Sequence, residues 1–189
     1  TSVVPHNLTR ELTTLVGRAA AAAEVASLLE VAPLVTLVGV GGAGKTRLAL
    51  RVAHDRVVRG GRVVTDGVWL LELAPLVDSG MVHRALAALL GVAEQPGRPL
   101  ELSIAEAIGA RRMLLVLDNC EHVVESCASI TERLLDTTPG LRVLATSREP
   151  LGVAGEVTWA VPPLTLPISD DAEAVRASGS GQLFVARAR

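Results

Sequence analysis

Aromatic residues are nearly missing from this 189-residue chain: two Trp, one Phe and no Tyr, 2% in all. Leu, Val and Ala must therefore make most of the core. Neither sign of charge predominates, with 18 Lys and Arg against 20 Asp and Glu. The net charge is −2, and no basic stripe marks a nucleic-acid footprint. No apolar stretch reaches about eighteen residues without a charge or a turn residue, which excludes a helical membrane span. The first residues lack the charged and apolar regions of a signal peptide. There are two cysteines, Cys120 and Cys127. On one helix they would stand about two turns, or roughly 10 Å, apart, too far for a disulfide. They read as buried small hydrophobes in a reducing compartment. The four histidines, His6, His54, His83 and His122, are scattered without metal-ligand spacing and read as surface or capping residues. Ser147 is not in a nucleophile elbow, and no carboxylate pair suggests glycoside chemistry. What remains is 49% apolar and 20% charged, the composition of one domain with a substantial core.

One stretch organises the chain. Leu34 to Val38 is a short apolar run rich in β-branched residues and reads as a buried strand. Gly39 to Thr46 then fit G-x-x-x-x-G-K-[ST], the phosphate-binding loop. Residues 47–58 read as a helix with Leu48, Val52, Val57 and Val58 among its apolar positions. Gly39, Gly41, Gly42 and Gly44 give the backbone the freedom to fold into a nest of inward N–H groups, with Ala43 inside it. The helix adds its positive dipole end, equivalent to roughly half a unit charge. Lys45 can reach β- and γ-phosphates, and the Thr46 hydroxyl can sit on Mg²⁺. A plain glycine-rich turn is the competing reading; the Lys-Thr pair and both flanking elements argue against it. Arg47 adjoins this set and also reads as a residue of a solvated helix face.

The rest of the chain alternates. Residues 1–14 are mostly polar and read as a linker or lead-in. An Ala-rich helix follows to about Glu30, with Val25, Leu28 and Leu29 on one face. Strands are expected at residues 68–73, 113–117, 141–145 and 156–161, and helices at about 81–90, 102–111 and 123–136. Asp78 or Ser79 can cap the first of these helices. Strands alternating with helices argue for an α/β fold, a parallel sheet covered on both faces, in which ligands sit outside the carboxyl ends of the strands. The phosphate loop, Asp118 and Arg148 all fall at such ends. Residues 177–181 are small and flexible, a mobile loop, and residues 182–189 read as the start of a helix, as in a piece cut from a longer protein. The expected organisation is a lead-in at 1–14, a nucleotide-binding core at 15–165, and a flexible loop with the start of a helical lid at 166–189.

Leu114-Leu115-Val116-Leu117-Asp118 has the form of a Walker B segment, a buried strand delivering one carboxylate to Mg²⁺. Helix capping is the other role open to Asp118. Hydrolysis also needs a group to orient water. Asn119 stands where many ATPases carry a second acid, and Glu121 is the next candidate; it also reads as a first-turn helix acid. Slow hydrolysis is the consequence, with nucleotide acting as a switch more than as fuel. Arg148 is placed to meet a γ-phosphate and distinguish ATP from ADP, or else to pair with Glu149 on the surface.

These strings, with Leu15-Val16-Gly17-Arg18, Asp118-Asn119-Cys120-Glu121-His122 and Thr146-Ser147-Arg148-Glu149-Pro150-Leu151, occur in one order. Together they resemble the nucleotide-binding domain of STAND ATPases, the NB-ARC-like switch proteins, and among them the large bacterial transcriptional regulators of the SARP/AfsR and LuxR-like types. The resemblance implies a P-loop NTPase fold with five parallel strands, the Arg148 strand lying between the phosphate-loop and Asp118 strands. It places Val16, Gly17 and Arg18 near adenine, Gly42 to Thr46 on the phosphates, Asp118 on Mg²⁺, and Arg148 as the sensor arginine. Pro162-Pro163-Leu164 and Leu183-Phe184 resemble the approach to a helical lid; the lid, winged helix and effector domain of a larger regulator would lie beyond this stretch. The implied cofactors are ATP or ADP with Mg²⁺. The implied partners are the other domains of a cytoplasmic regulator, with no direct nucleic-acid or membrane contact, a monomeric fragment and a parent that oligomerises with ATP. Two other classes stay open. A metabolic P-loop kinase would need a second substrate pocket with an Arg-rich lid, and no such cluster stands in the sequence. A degenerate partner-binding module is opposed by the intact Lys45, Thr46 and Asp118.

Overall fold

Parallel strands buried on both faces need continuous apolar runs, since helices cover each side. The chain supplies them. The computed structural model describes residues 4–8, 18–59, 64–76, 78 and 80–162. In chain order these form α1 (Ala19–Val31), β1 (Leu34–Val38), α2 (Lys45–Arg59), β2 (Gly67–Glu72), α3 (Met81–Leu90), α4 (Leu100–Ile108), β3 (Met113–Asp118), a short 3-10 turn (Cys120–His122), α5 (Val124–Thr137), β4 (Leu141–Ser147) and β5 (Glu156–Ala160). The five strands make one sheet in the order β2-β3-β4-β1-β5, every pairing parallel. β4 thus lies between β1 and β3, the arrangement the resemblance implied.

All six residues of β3 are buried. Their alternation splits them between two cores. Met113, Leu115 and Leu117 meet Leu86 of α3, Ile104 of α4 and Ile130 of α5. Leu114 and Val116 join Val25 and Leu29 of α1 and Leu48 and Val52 of α2 on the other face. Helices therefore cover both faces of the sheet, as the pattern of the sequence requires. On α2 the apolar face is narrower than expected: Val58 is 82% exposed, and Ala49 and Ala53 fill the interface instead.

Two other boundaries shift for identifiable reasons. α4 starts after Pro99, whose fixed φ of −57° suits a helix entrance, and stops at Gly109 with φ of 54°. The expected helix from residue 123 is preceded by the 3-10 turn and a break at Val123, with φ of −135°. Cys120 and Cys127 consequently do not share one helix. Both thiols are buried and free.

From the lead-in, residues 4–8 lie along the outer edge of β2. His6 bridges Val68, whose N–H donates to the Pro5 carbonyl over 2.9 Å. Asn7 imitates a peptide group: its amide donates to the Leu70 carbonyl over 2.8 Å and accepts from the Leu70 N–H over 2.7 Å. Val4 and Leu8 are buried beside it. This covers backbone groups that an edge strand otherwise leaves open to pairing. Residues 166–189, and with them the expected loop and lid start, lie outside the described residues.

The turn into β4 is the tightest backbone approach. A Cβ on Gly140 would overlap the Arg111 carbonyl and lie 3.2 Å from the Ala110 oxygen. Neither neighbour is a side chain that can swing away. Gly140→Ala should cost about 1–3 kcal/mol, as other overpacked sites do. A thermal melt should drop by several degrees, at about 2–4 °C per kcal/mol for a domain of this size. An unchanged melt would show that the turn moves freely and does not set the register of β4.

Candidate functional site

The sheet register decides which residues meet. Val38 of β1 pairs with Ser147 of β4, so Gly39 emerges beside Arg148. Leu117 of β3 pairs with Ala145, so Asp118 emerges beside Thr146. The phosphate-loop sequence, Asp118 and Arg148 thus converge at the carboxyl ends of three adjacent strands.

Gly42 and Gly44 hold φ of 79° and 86°, left-handed values that a side chain resists. They turn the loop over the start of α2, whose first intrahelical bond runs from the Leu48 N–H to the Gly44 carbonyl over 3.0 Å. The amides before that bond belong to the open, positive helix end. Lys45, the chain's one lysine, is only 8% exposed. Its Nζ donates to the carbonyls of Gly39 (2.8 Å) and Val40 (3.2 Å), which keeps the charge beneath the loop. Thr46 is next, exposed, and Arg47 is half-buried on the first turn.

Asp118 is buried, and its Oδ1 accepts from the Thr146 hydroxyl over 2.7 Å. That hydroxyl in turn accepts from the Asn119 N–H over 2.9 Å. Asn119 can present its amide there because it turns left-handed, with φ of 67°, a conformation Asn tolerates better than most residues. The turn beyond it is pinned twice. Cys120 donates to the Leu117 carbonyl over 3.5 Å, and His122 Nε2 stands 3.0 Å from both the Leu73 and Leu76 carbonyls. Two carbonyl acceptors require Nε2 to carry the proton, leaving Nδ1 to face the Asn119 amide at 3.4 Å. The Cys127 thiol and burial, with a smaller part from Asp118, push the Cys120 thiol well above its ordinary range, so it stays neutral.

Arg148 does not pair with Glu149. Its Nε lies 3.2 Å from Glu121 Oε1, so two residues expected to act separately are partners. A Cβ on Gly41 would lie 3.8 Å from the Arg148 guanidinium, which places that group between the loop and Glu121. Arg18 is buried, and its Nη2 donates to the carbonyls of Ala43 and Pro162, each over 2.9 Å. Burial lowers its pKa from the ordinary arginine value. Val16 and Gly17 lie outside the described residues. An open cleft of about 630 Å³ is lined by residues 38–43, Arg148, Ala160 and Val161, combining a glycine-rich wall, an apolar wall and one guanidinium.

No group of three or more His, Cys, Asp or Glu among the described residues can hold a metal unaided. The donor set of one carboxylate, Asp118, and one hydroxyl, Thr46, suits Mg²⁺, which takes one or two carboxylates and completes its shell from water and substrate phosphates. Sequence reasoning did not anticipate Thr146 as the partner of Asp118 or His122 as a clamp; the strings containing them were visible, but their partners depend on the sheet.

The NB-ARC domain family matches residues 23–165. This chain is an NB-ARC domain. It is 48% identical over 139 residues to proteins of Mycobacterium bovis and Mycobacterium tuberculosis provisionally named HTH-type transcriptional regulators, covering 74% of this chain but 15% of theirs. An uncharacterised Mycobacterium tuberculosis protein is 41% identical over 190 residues, covering 98% of this chain and 44% of that one. The chain thus spans less than half the length of these curated relatives. Among solved structures, a STAND protein with a tetratricopeptide repeat sensor from Pyrococcus horikoshii aligns at TM-score 0.50 and 18% identity, over 89% of this chain and 25% of that one. The Aeropyrum pernix ORC2 protein, solved as ADPNP-ADP complexes, aligns at TM-score 0.54 and 14% identity, over 96% and 54%. These likenesses establish the P-loop NTPase fold of the NB-ARC domain.

Thr146→Val removes the hydroxyl at constant shape and strands both the Asp118 oxygen and the Asn119 N–H. It should cost the domain about 1–3 kcal/mol. Thr146→Ser, which keeps the donor and acceptor, should recover most of the loss in chemical denaturation. Equal stability of the Val and Ser variants would show that water replaces the hydroxyl and that Asp118 is held by other means.

Proposed function

We propose that this NB-ARC domain is an ATP/ADP-binding switch with slow ATPase activity, one part of a larger signal-transducing transcriptional regulator. The convergence of the Lys45 loop, Asp118 and Arg148 at three neighbouring strand ends carries this reading. The loop amides and the start of α2 would receive phosphate oxygens. Lys45, held by two loop carbonyls at modest cost, would turn its charge to the β- and γ-phosphates. Thr46 and Asp118 would hold Mg²⁺, whose chemistry is to neutralise phosphate charge. Thr146 fixes the Asp118 carboxylate by a charge-assisted bond, so the carboxylate is already oriented. Arg148 would read the γ-phosphate. Val16, Gly17 and Arg18 would lie toward the base, with Arg18 tying the loop to the chain after β5.

Hydrolysis would be slow for a local reason. The residue after Asp118 is Asn119, which cannot act as a base. Glu121, the candidate for orienting water, stands two residues further on, outside the position next to Asp118 that such an acid takes in many ATPases, and faces Arg148. Nucleotide would therefore stay bound long enough to set a state, with ATP favouring an open, oligomerising parent and ADP a closed one. DNA contact would fall to another domain of that parent, a reading supported by this chain's net charge of −2. No helix among the described residues is long and apolar enough to cross a membrane.

ADP or Mg-ATP at one hundred times Kd should stabilise the chain by about 2.7 kcal/mol. That is a rise in Tm of roughly 5–10 °C, and Lys45→Ala should abolish it. Turnover should remain well below about one per second. The absence of any shift at millimolar nucleotide, in this chain and in one extended past Arg189, would refute the reading. So would a turnover of many per second, for the switch part of it.

A further inference from the structure

Glu121 is 17% exposed, and one of its oxygens, Oε2, is buried with no hydrogen-bond partner among the described residues. Its other oxygen faces Arg148. The carboxylate therefore depends on one cation for compensation. Its backbone cannot follow that cation elsewhere. Asn119, Cys120 and His122 around it are each bonded to β4, β3 or the connection after β2. Arg148 is the member that solvent reaches. Its side chain is 67% exposed, it springs from the end of β4, and its guanidinium already borders Gly41 of the phosphate loop. One guanidinium thus has two anionic destinations within reach of its long side chain: the fixed carboxylate, and any phosphate seated beyond the loop.

Resting on the nucleotide-site reading above, we propose that Glu121 is a positioning residue that parks Arg148 and competes with the γ-phosphate for it, so that Glu121 sets how strongly the domain prefers ATP over ADP. ADP carries no γ-phosphate and leaves the pair intact. ATP draws Arg148 away and leaves the half-buried carboxylate uncompensated, so part of the favourable Arg148–phosphate interaction is lost. The pair is partly exposed, so its strength lies in the range of ordinary surface ion pairs and the competition is modest.

The test is the ratio of Kd for ADP to Kd for a non-hydrolysable Mg-ATP analogue, measured by calorimetry on the 189-residue chain. Glu121→Gln should raise this ratio about threefold to fivefold, the loss of an ion pair of about 1 kcal/mol. Glu121→Ala serves if the Gln variant is unfolded by circular dichroism, with the same expectation. Arg148→Gln should lower the ratio, and adding Glu121→Gln to it should then change nothing. A flat or lower ratio in both Glu121 variants overturns the proposal. So does a gain that persists without Arg148, since that would be simple repulsion between Glu121 and the γ-phosphate. If the wild-type chain binds neither nucleotide, the nucleotide-site reading itself falls; binding of both with a flat ratio defeats only the parking role.

Discussion

The parallel pairing of β4 between β1 and β3 is the constraint on which the site depends. Its register is fixed on both sides, Val38 against Ser147 and Leu117 against Ala145. A slip of one residue would turn every side chain of β4 to the opposite face. Leu144 would enter the core that holds Val143 and Ala145, and those two the core that holds Leu144, at roughly 1–3 kcal/mol for each side chain that no longer fits its space. That hydrophobic penalty exceeds any single polar interaction at the strand ends. The cores therefore choose the register, and the register then delivers Thr146 to Asp118 and Arg148 to the loop. The polar site inherits a geometry that aliphatic packing has already determined.

Polar bonds refine this frame where burial makes them matter. The Thr146–Asp118 bond is buried and charge-assisted, the kind worth more than a neutral surface contact. The Glu121–Arg148 pair, by contrast, has one half-buried and one exposed member. The two interactions sit side by side, yet one is built to stay and the other to change. Lys45 is as buried as Asp118, but it is bonded to neutral carbonyls that can give way to phosphate oxygens. The contrast between Asp118 and the exposed Arg148 follows burial, because water competes less for the inner group.

The strands were legible in the sequence because both faces are covered, which makes them continuous apolar runs. The loop was legible because its glycines and Lys45-Thr46 are contiguous. What escaped depends on partners far along the chain. Arg18 meets Pro162 across 144 positions, and Asn7 meets Leu70 across 63; no local pattern announces either. The break at Val123 was hidden for another reason. A 3-10 turn running into a helix has almost the same apolar spacing as one longer helix, so periodicity could not separate the two cysteine environments. Likewise, Thr146 is an ordinary strand residue until β3 is placed beside it, and Arg148 had a sequence neighbour, Glu149, that looked like a sufficient partner.

The choice of residues after Asp118 reflects the turn that must be made there. The chain leaves β3 and must reverse into α5 within a few residues. Asn119 makes the left-handed step that a longer acid such as Glu would make at greater cost. Its amide then closes the bond to Thr146, while Cys120 and His122 pin the rest of the turn. A glutamate directly after Asp118 would strain that step and weaken the Asn119 N–H bond to Thr146 that depends on it. Placing the acid at Glu121 keeps the turn but sets the carboxylate within reach of Arg148. On the proposed reading, a slow, arginine-gated site would follow from how β3 turns into α5, and the same geometry would suit it to hold a nucleotide-dependent state.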